Sequence, residues 1–125
     1  MSGKVYICAL SHARQVPKEN NNLFLTTRVK RTSPGIFHFP ALAPSQELFG
    51  KYHNVWKGND PKLWWHAYRE QYMRELNQAA ITYLQTGLDS GQDITLMCFC
   101  GDETHCHRIL LKEIFDNLGY ETISL

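Results

Sequence analysis

The sequence lacks the features that mark several classes of protein. No apolar run approaches the roughly 18 residues of a membrane span, and no cleavage-site pattern follows the first apolar stretch, as it would after a secretory signal. Glycine and proline are no more frequent than in ordinary globular proteins, with 8 and 5 among 125 residues, which excludes fibrous and low-complexity chains. We therefore expect a single domain over residues 1–125, in the cytoplasm and without a membrane partner.

The chain also has almost no net charge, at +1, but its charges are unevenly distributed. Residues 1–74 carry 11 basic and 4 acidic side chains, whereas residues 75–125 carry 2 and 8. Proteins that bind nucleic acid are usually basic overall, so the total argues against that class, although nucleic acid stays open as a partner. The basic half predicts one wall of a site for a small anion, and Arg28, Lys30 and Arg31 are candidates for it.

Cysteine is scarce except in one place. Cys98, Cys100 and Cys106 lie within nine residues, and Cys8 lies alone near the start. In a cytoplasmic chain, cysteines are expected as thiols or as metal-bound thiolates rather than as disulfides. The cluster is therefore the most informative feature of the sequence.

Hydrophobic patterning predicts strands that alternate with helices. The predicted strands cover residues 5–10, 23–29, 36–39, 94–99 and 120–125. The predicted helices are a short one at 45–49, one long helix or two successive ones over 61–86, and one from about 106 that Gly119 stops. The unbroken apolar run 94–99 is typical of a strand buried on both faces of a parallel sheet. The sequence thus predicts an α/β fold, a small three-layer Rossmann-like domain with a mostly parallel sheet.

The cysteine cluster follows the strand 94–99, where open α/β sheets bind their ligands. The helix that begins near Cys106 presents unpaired N–H groups and a partial positive charge, which favour an anion and the Cys106 thiolate. Arg108 carries a permanent charge able to hold a carboxylate or a phosphate. One interpretation therefore assigns catalysis to Cys106 and His107 and ligand binding to Arg108 and Cys98.

Two other interpretations of the cluster stay open. Zinc accepts a ligand set drawn from Cys98, Cys100, Cys106 and His107, with His105 as a substitute, although the usual Cys-x-x-Cys pair is missing. Alternatively, the cluster is structural, with buried cysteines, a capping histidine and an arginine that orders the turn. We expect no cofactor, and zinc is the one metal left open.

Other candidates lie outside the cluster. Ser11 and His12 follow the first strand and are candidate ligand-binding residues at the same sheet edge. Trp65 fits the apolar helical stripe and is expected in the core, so Trp64 is the better candidate for stacking on a ligand. The aromatic stretch 56–72 is more apolar than a surface helix requires, which predicts a homodimer.

Residues from about 40 to 125 resemble the domain-of-unknown-function family numbered 488. The resemblance rests on Leu96-Met97-Cys98 and Cys106-His107-Arg108, with similar segments at Leu42-Ala43-Pro44 and around Trp65, Tyr68 and Tyr72. It implies a small intracellular α/β protein, as in phage and bacterial members, with a Cys-His-Arg signature that opens a helix. Many relatives have glutamate where this chain has Cys100, a departure that weakens any role needing a carboxylate there and favours metal slightly.

The expected function is a site for an anionic, nucleotide-like small molecule at the Cys98–Arg108 loop. The site would belong to a thiol-dependent enzyme or to a module that binds or sequesters its ligand. A zinc-stabilised domain, or a protein that binds or modifies nucleic acid, is the alternative.

Overall fold

In a computed structural model, which describes residues 2–31, 34–99 and 105–125, five strands form one sheet. Every neighbouring pair in this sheet is parallel. The strands are β1 (Val5–Ala9), β2 (Asn21–Leu25), β3 (Ile36–His38), β4 (Asp93–Cys98) and β5 (Thr122–Ser124), in the spatial order β3-β2-β4-β1-β5. All their carboxyl ends therefore lie at one edge of the sheet.

Within the described ranges, four α-helices and several shorter helical turns connect the strands. The α-helices are α1 (Gln46–Lys51), α2 (Trp65–Arg74), α3 (Gln78–Asp89) and α4 (His107–Asn117). Short 3₁₀ helices lie at Leu10–Gln15, Pro40–Leu42 and Pro61–Leu63, and a π-helical turn extends α1 over Tyr52–Trp56. In the described part of the chain, no helix has the length and hydropathy needed to cross a bilayer.

The prediction of an α/β domain with a mostly parallel sheet is confirmed, but its two outer layers are unequal. All four α-helices pack on one face of the sheet, where they form the larger hydrophobic core with Val5, Ile7 and Leu96. The other face packs a smaller cluster, to which the segment from Leu10 to Val16 contributes. The third layer is thus a short 3₁₀ segment rather than a row of α-helices.

Strand order explains this asymmetry. The crossovers β3→β4 and β4→β5 move across the sheet in the same direction, so right-handed connections place their helices on one face. The crossover β1→β2 runs in the opposite direction, and its short connection covers the other face. Connections therefore leave the neighbouring strands β1 and β4 in opposite directions, and such a point opens a crevice at the carboxyl ends.

Local signals account for the helix boundaries. The helical stripe over 61–86 is divided into α2 and α3, and the Asn77 side chain accepts a hydrogen bond from the Ala80 amide at 3.0 Å to cap α3. Gly119 has a φ of +94°, the left-handed conformation that a helix end requires, and it stops α4 as predicted. The second strand ends at Leu25, four residues earlier than expected, and Thr27 then folds back to donate to the Val29 carbonyl.

Candidate active site

A cavity of about 470 Å³ opens at the carboxyl edge of the sheet. Cys98, Cys106 and His107 contribute to its wall where β4 passes toward α4. The other lining residues are Thr27, Arg28, Val29, Pro44, Phe49, Tyr52, His53, Lys57, Tyr68, Phe99 and His105. The size is that of a small-molecule site, and none of the described lining residues is a carboxylate.

The predicted cluster converges at this wall. Cys98 is the last residue of β4, and Cys106 precedes the first residue of α4. Their sulfur atoms are 3.3 Å apart, and the Cys106 Sγ lies 3.6 Å from the His107 Nδ1. All three residues are buried. The structure thus forms a continuous Cys98–Cys106–His107 contact line beside the cavity.

His107 is held in one tautomer by β2. Its Nε2 lies 2.7 Å from the Thr26 carbonyl oxygen, which can only accept, so Nε2 carries the proton and Nδ1 presents a lone pair to Cys106. The Thr26 hydroxyl donates to the Met97 carbonyl at 2.9 Å and lies 3.2 Å from the same Nε2. Burial lowers the pKa of His107 from 6.5 to about 4, and the Arg108 charge contributes in the same direction. The imidazole is therefore neutral at pH 7.

Cys106 and Arg108 flank the start of α4. Cys106 has extended backbone angles and occupies the cap position, so its thiol lies at the positive end of the helix dipole. Arg108, the second helical residue, is 4% exposed, and within the described part of the chain its Nη1 has no hydrogen-bond partner. Its charge influences Cys8 and His107, yet it does not line the cavity. A buried cation with an unsatisfied donor is a candidate anion contact.

Of the four predicted zinc ligands, Cys98, Cys106 and His107 lie in contact, and Cys100 lies outside the described residues. Among the described residues, no group of three or more His, Cys, Asp or Glu side chains is arranged to hold a metal ion. The Nε2 of His107 is bonded to Thr26, which leaves only Nδ1 for any ligand. Cys100, and the two acids Asp102 and Glu103, lie outside the described residues.

The expected environments of the two tryptophans are reversed. Trp64 is 4% exposed and belongs to the core, whereas Trp65 is only partly buried. The helical period does not reach Trp64, because α2 begins at Trp65 and Trp64 caps it with a φ of −134°. The Trp64 indole donates to the Asn59 carbonyl at 3.1 Å, and its ring does not line the cavity.

Ser11 and His12 lie at the carboxyl end of β1, as predicted, but they are not part of the cavity wall. Ser11 is exposed, and the Nδ1 of His12 lies 3.4 Å from the Leu125 carbonyl beyond β5. Of the basic cluster, Arg28 does line the cavity, and its Nη1 donates to the Pro44 carbonyl at 3.0 Å. Lys30 and Arg31 are exposed, and Arg31 lies over the Phe99 ring.

Sequence reasoning missed several residues of the site. Thr26, which orients His107, is 81 positions away in the chain, and only the adjacency of β2 and β4 brings them together. His53 and Lys57 enter the wall from the turns that follow α1. No spacing signal connects either residue with Cys106. The structure places the polar pair Thr26-Thr27 directly after β2, whereas the sequence predicted both residues within a strand over 23–29.

The chain is a small parallel α/β domain with Cys98, Cys106 and His107 beside a cavity at the carboxyl edge of its sheet. The chain belongs to the DUF488-N3 family, because the family model described as the active DUF488-N3 subclade, DUF488-N3a, matches residues 5–119. The resemblance seen from about residue 40 is therefore confirmed, and it extends back to β1. Neither the search of curated proteins nor the search of solved structures found a match.

Proposed function

We propose that this protein is a thiol-dependent enzyme in which Cys106 attacks an anionic, nucleotide-like small molecule bound in the cavity. One observation carries the proposal: Cys106 lines the cavity, and its Sγ lies 3.6 Å from the unprotonated Nδ1 of His107. A thiol beside an oriented imidazole is the arrangement that activates cysteine nucleophiles. The matched subclade is described as active, and this description favours an enzyme over a passive binding module.

The roles follow from the geometry. The Cys106 thiol passes its proton to Nδ1 of His107, while the start of α4 stabilises the thiolate. The low pKa of His107 makes it a weak base in the ligand-free protein. An anion in the cavity would favour the imidazolium, so ligand binding and thiol activation are coupled. The Thr26 carbonyl acts as a positioning group, because its contact with Nε2 keeps Nδ1 directed at the sulfur.

The cavity lining supports an anionic, nucleotide-like substrate. Arg28 and Lys57 supply positive charge, and His53 and His105 add further nitrogen donors. Aromatic rings from Phe49, Tyr52, Tyr68 and Phe99 line the same space. Cations suit a phosphate or carboxylate, and aromatic rings suit a planar base. A nucleotide-like anion combines both features.

Differential alkylation tests this proposal. In reduced protein, we expect iodoacetamide to modify Cys106 at least about tenfold faster than Cys8, because thiolate character and access set the rate. Cys8 is an internal reference thiol, since it is also buried, does not line the cavity, and has a pKa that burial raises to about 11. The variant His107→Gln should slow the modification of Cys106 and leave that of Cys8 unchanged.

Ligand binding is tested with named nucleotides. Nucleoside mono- and diphosphates, added one at a time, should raise the melting temperature and protect Cys106 from alkylation. Cys106→Ala should keep the binding of the nucleotide that protects and should lose its turnover. Cys106 modification no faster than that of Cys8 contradicts the enzyme, and turnover that survives Cys106→Ala does so too.

Self-association is a separate proposal. The aromatic stretch 56–72, from which the sequence predicted a homodimer, is largely buried within one subunit, because Trp64, Tyr68 and Tyr72 belong to the core. Val55 and Leu63 remain 61% and 79% exposed, directly before two tryptophans that stack on each other. We propose that these two residues form the centre of a two-fold homodimer.

A further inference from the structure

Two thiols share the cavity wall. The sulfurs of Cys98 and Cys106 are 3.3 Å apart, whereas a disulfide bond is about 2.05 Å long, so the bond requires an approach of little more than about 1 Å. Cys98 ends a buried strand and Cys106 caps the next helix, so ordered elements hold both sulfurs. Both residues also line the cavity, which gives small oxidants access to them.

We propose that Cys98 and Cys106 form a reversible redox pair, with Cys106 as the thiol oxidised first and Cys98 as the resolving thiol. The oxidant belongs to the class of small hydroperoxides and the reductant to the class of thiols. The formation of the bond does not depend on the proposed function. Only its consequence does, because the bond would occupy the nucleophile and reversibly stop turnover.

The chemistry balances in two steps. The Cys106 sulfur attacks one oxygen of hydrogen peroxide, the O–O bond breaks, and water leaves with the thiol proton, which produces a sulfenic acid. The Cys98 sulfur then attacks the Cys106 sulfur and the S–O bond breaks. The departing hydroxide takes the Cys98 proton and leaves as a second water. Two thiols of the reductant later restore both cysteines and become a disulfide themselves.

Position and environment explain why Cys106 reacts first. Cys106 lies at the start of α4 with the Nδ1 of His107 at 3.6 Å, and both features favour its thiolate, the form that peroxide oxidises. Cys98 has no helix terminus of its own and sits at the end of a strand. Its nearest described thiol is that of Cys106.

Cys8 provides the contrast within the same chain. It lies on β1 in the smaller core, on the sheet face opposite the α-helices, and it does not line the cavity. Burial raises its pKa to about 11, so it stays protonated at neutral pH. We expect Cys8 to survive a peroxide treatment that oxidises the pair.

The experiment treats the full-length Cys100→Ser variant with hydrogen peroxide, so that Cys100, between the two, cannot form the bond. Cleavage after Glu103, the only glutamate between Cys98 and Cys106, separates them onto different peptides. We expect these peptides to be joined, with a mass loss of two hydrogen atoms and the loss of two thiols per chain. Dithiothreitol should reverse all three changes, and Cys8 should remain a thiol.

A matched pair of variants makes the assignment specific. Adding Cys98→Ser should abolish the linkage and leave a Cys106 sulfenic acid that dimedone captures, whereas adding Cys8→Ser should leave the linkage intact. Peroxide that leaves both thiols unchanged, or that drives Cys106 to the sulfinic acid while Cys98 stays a thiol, would overturn the proposal. Linkage of Cys106 to Cys100 in the wild-type chain would overturn it as well. These readouts are masses and thiol counts, so their failure is distinct from a failure of the alkylation and turnover tests above.

Discussion

His107 shows how one residue joins stability to chemistry. It is buried beneath the cavity wall, and its two ring nitrogens contact different partners, a carbonyl of β2 and the thiol of Cys106. The neutral ring satisfies both contacts, since one nitrogen donates and the other accepts. Protonation would place a second cation near Arg108 and remove the acceptor. The site therefore depends on an uncharged imidazole at rest.

The buried state of His107 predicts a specific pH dependence of folding. Its pKa falls from 6.5 to about 4 on folding, so between these values the unfolded chain binds the proton and the folded chain does not. The contribution of neutral His107 to the free energy of unfolding is fully present above pH 6.5. It is lost as the pH falls toward 4, by up to about 3 kcal/mol. Urea unfolding across this range should show the loss, and His107→Gln should flatten it.

Removing the charge of Arg108 is expected to affect the melting temperature and the ligand affinity differently. A cation in the first turn faces the positive end of the helix dipole, at a cost of up to about 1 kcal/mol, and the buried Nη1 of Arg108, which has no hydrogen-bond partner among the described residues, adds to that cost. Arg108→Met, which keeps length and removes charge, should therefore leave the melting temperature of the ligand-free protein unchanged or raise it. Arg108 does not line the cavity, but its buried Nη1 has no hydrogen-bond partner among the described residues, and the proposal that an anion binds there predicts that the same variant weakens the binding of a nucleoside monophosphate at least tenfold, about 1.4 kcal/mol.

Arg74→Met, at the exposed end of α2, should change neither quantity and controls for loss of charge. A loss of about 3–5 kcal/mol in Arg108→Met would identify an internal carboxylate partner instead, because breaking a buried ion pair has that cost. Unchanged affinity would reject Arg108 as the anion clamp.

The elements of this fold were predictable where the signal is local. The apolar run of β4, the stripe of α2 and α3 and the stop at Gly119 are properties of short windows, and each corresponds to an observed element. Strand order is not local. Thr26 reaches His107 because β4 lies between β2 and β1 in the sheet. No sequence pattern in β2 or β4 specifies that these two strands are neighbours. The strand-end position of Cys98 and Cys106 could thus be predicted, whereas the residues that complete the site could not.

Gly3 lies so close to the segment after α3 that no larger residue fits at this position. The amide of Gly3 donates to the Leu88 carbonyl at the end of α3, and a Cβ at Gly3 would lie 1.8 Å from the Gln92 carbonyl oxygen. The clash involves backbone, so Gly3→Ala should cost about 3 kcal/mol or more in the free energy of unfolding. Gly87→Ala in α3 is the matched control, since its nearest atom would be the Gln92 side chain at 3.6 Å.

Better helix propensity should make Gly87→Ala neutral or stabilising by up to about 1 kcal/mol. Chemical denaturation of both variants measures the difference. Equal stabilities would show that the start of β1 can move away from Gln92.

At the scale of the whole molecule, the cavity joins the two halves of the charge distribution. Arg28 and Lys57 come from the basic half, whereas Cys98 and Cys106 come from the acidic half. The net charge of +1 does not reveal this distribution of basic and acidic residues, because a sum over the chain carries no information about position. The wall of positive charge could be anticipated from the first 74 residues, but which of their 11 basic side chains would face the cysteines depended on the fold.

The last prediction concerns assembly. Val55 and Leu63 are exposed beside the stacked pair Trp56 and Trp64, and burying them in a two-fold interface would remove apolar surface from water on both subunits. Light scattering at micromolar concentration should therefore give the mass of a dimer, and Leu63→Asp should give that of a monomer, because a charge at a self-complementary contact meets its own copy. Leu118→Asp is the matched control, because Leu118 is an exposed leucine at the C-terminal cap of α4, outside the aromatic stretch 56–72, and this variant should remain dimeric. A monomeric wild-type chain would mean that the aromatic surplus is satisfied entirely within one subunit, by the packing of Trp64, Tyr68 and Tyr72 against the sheet.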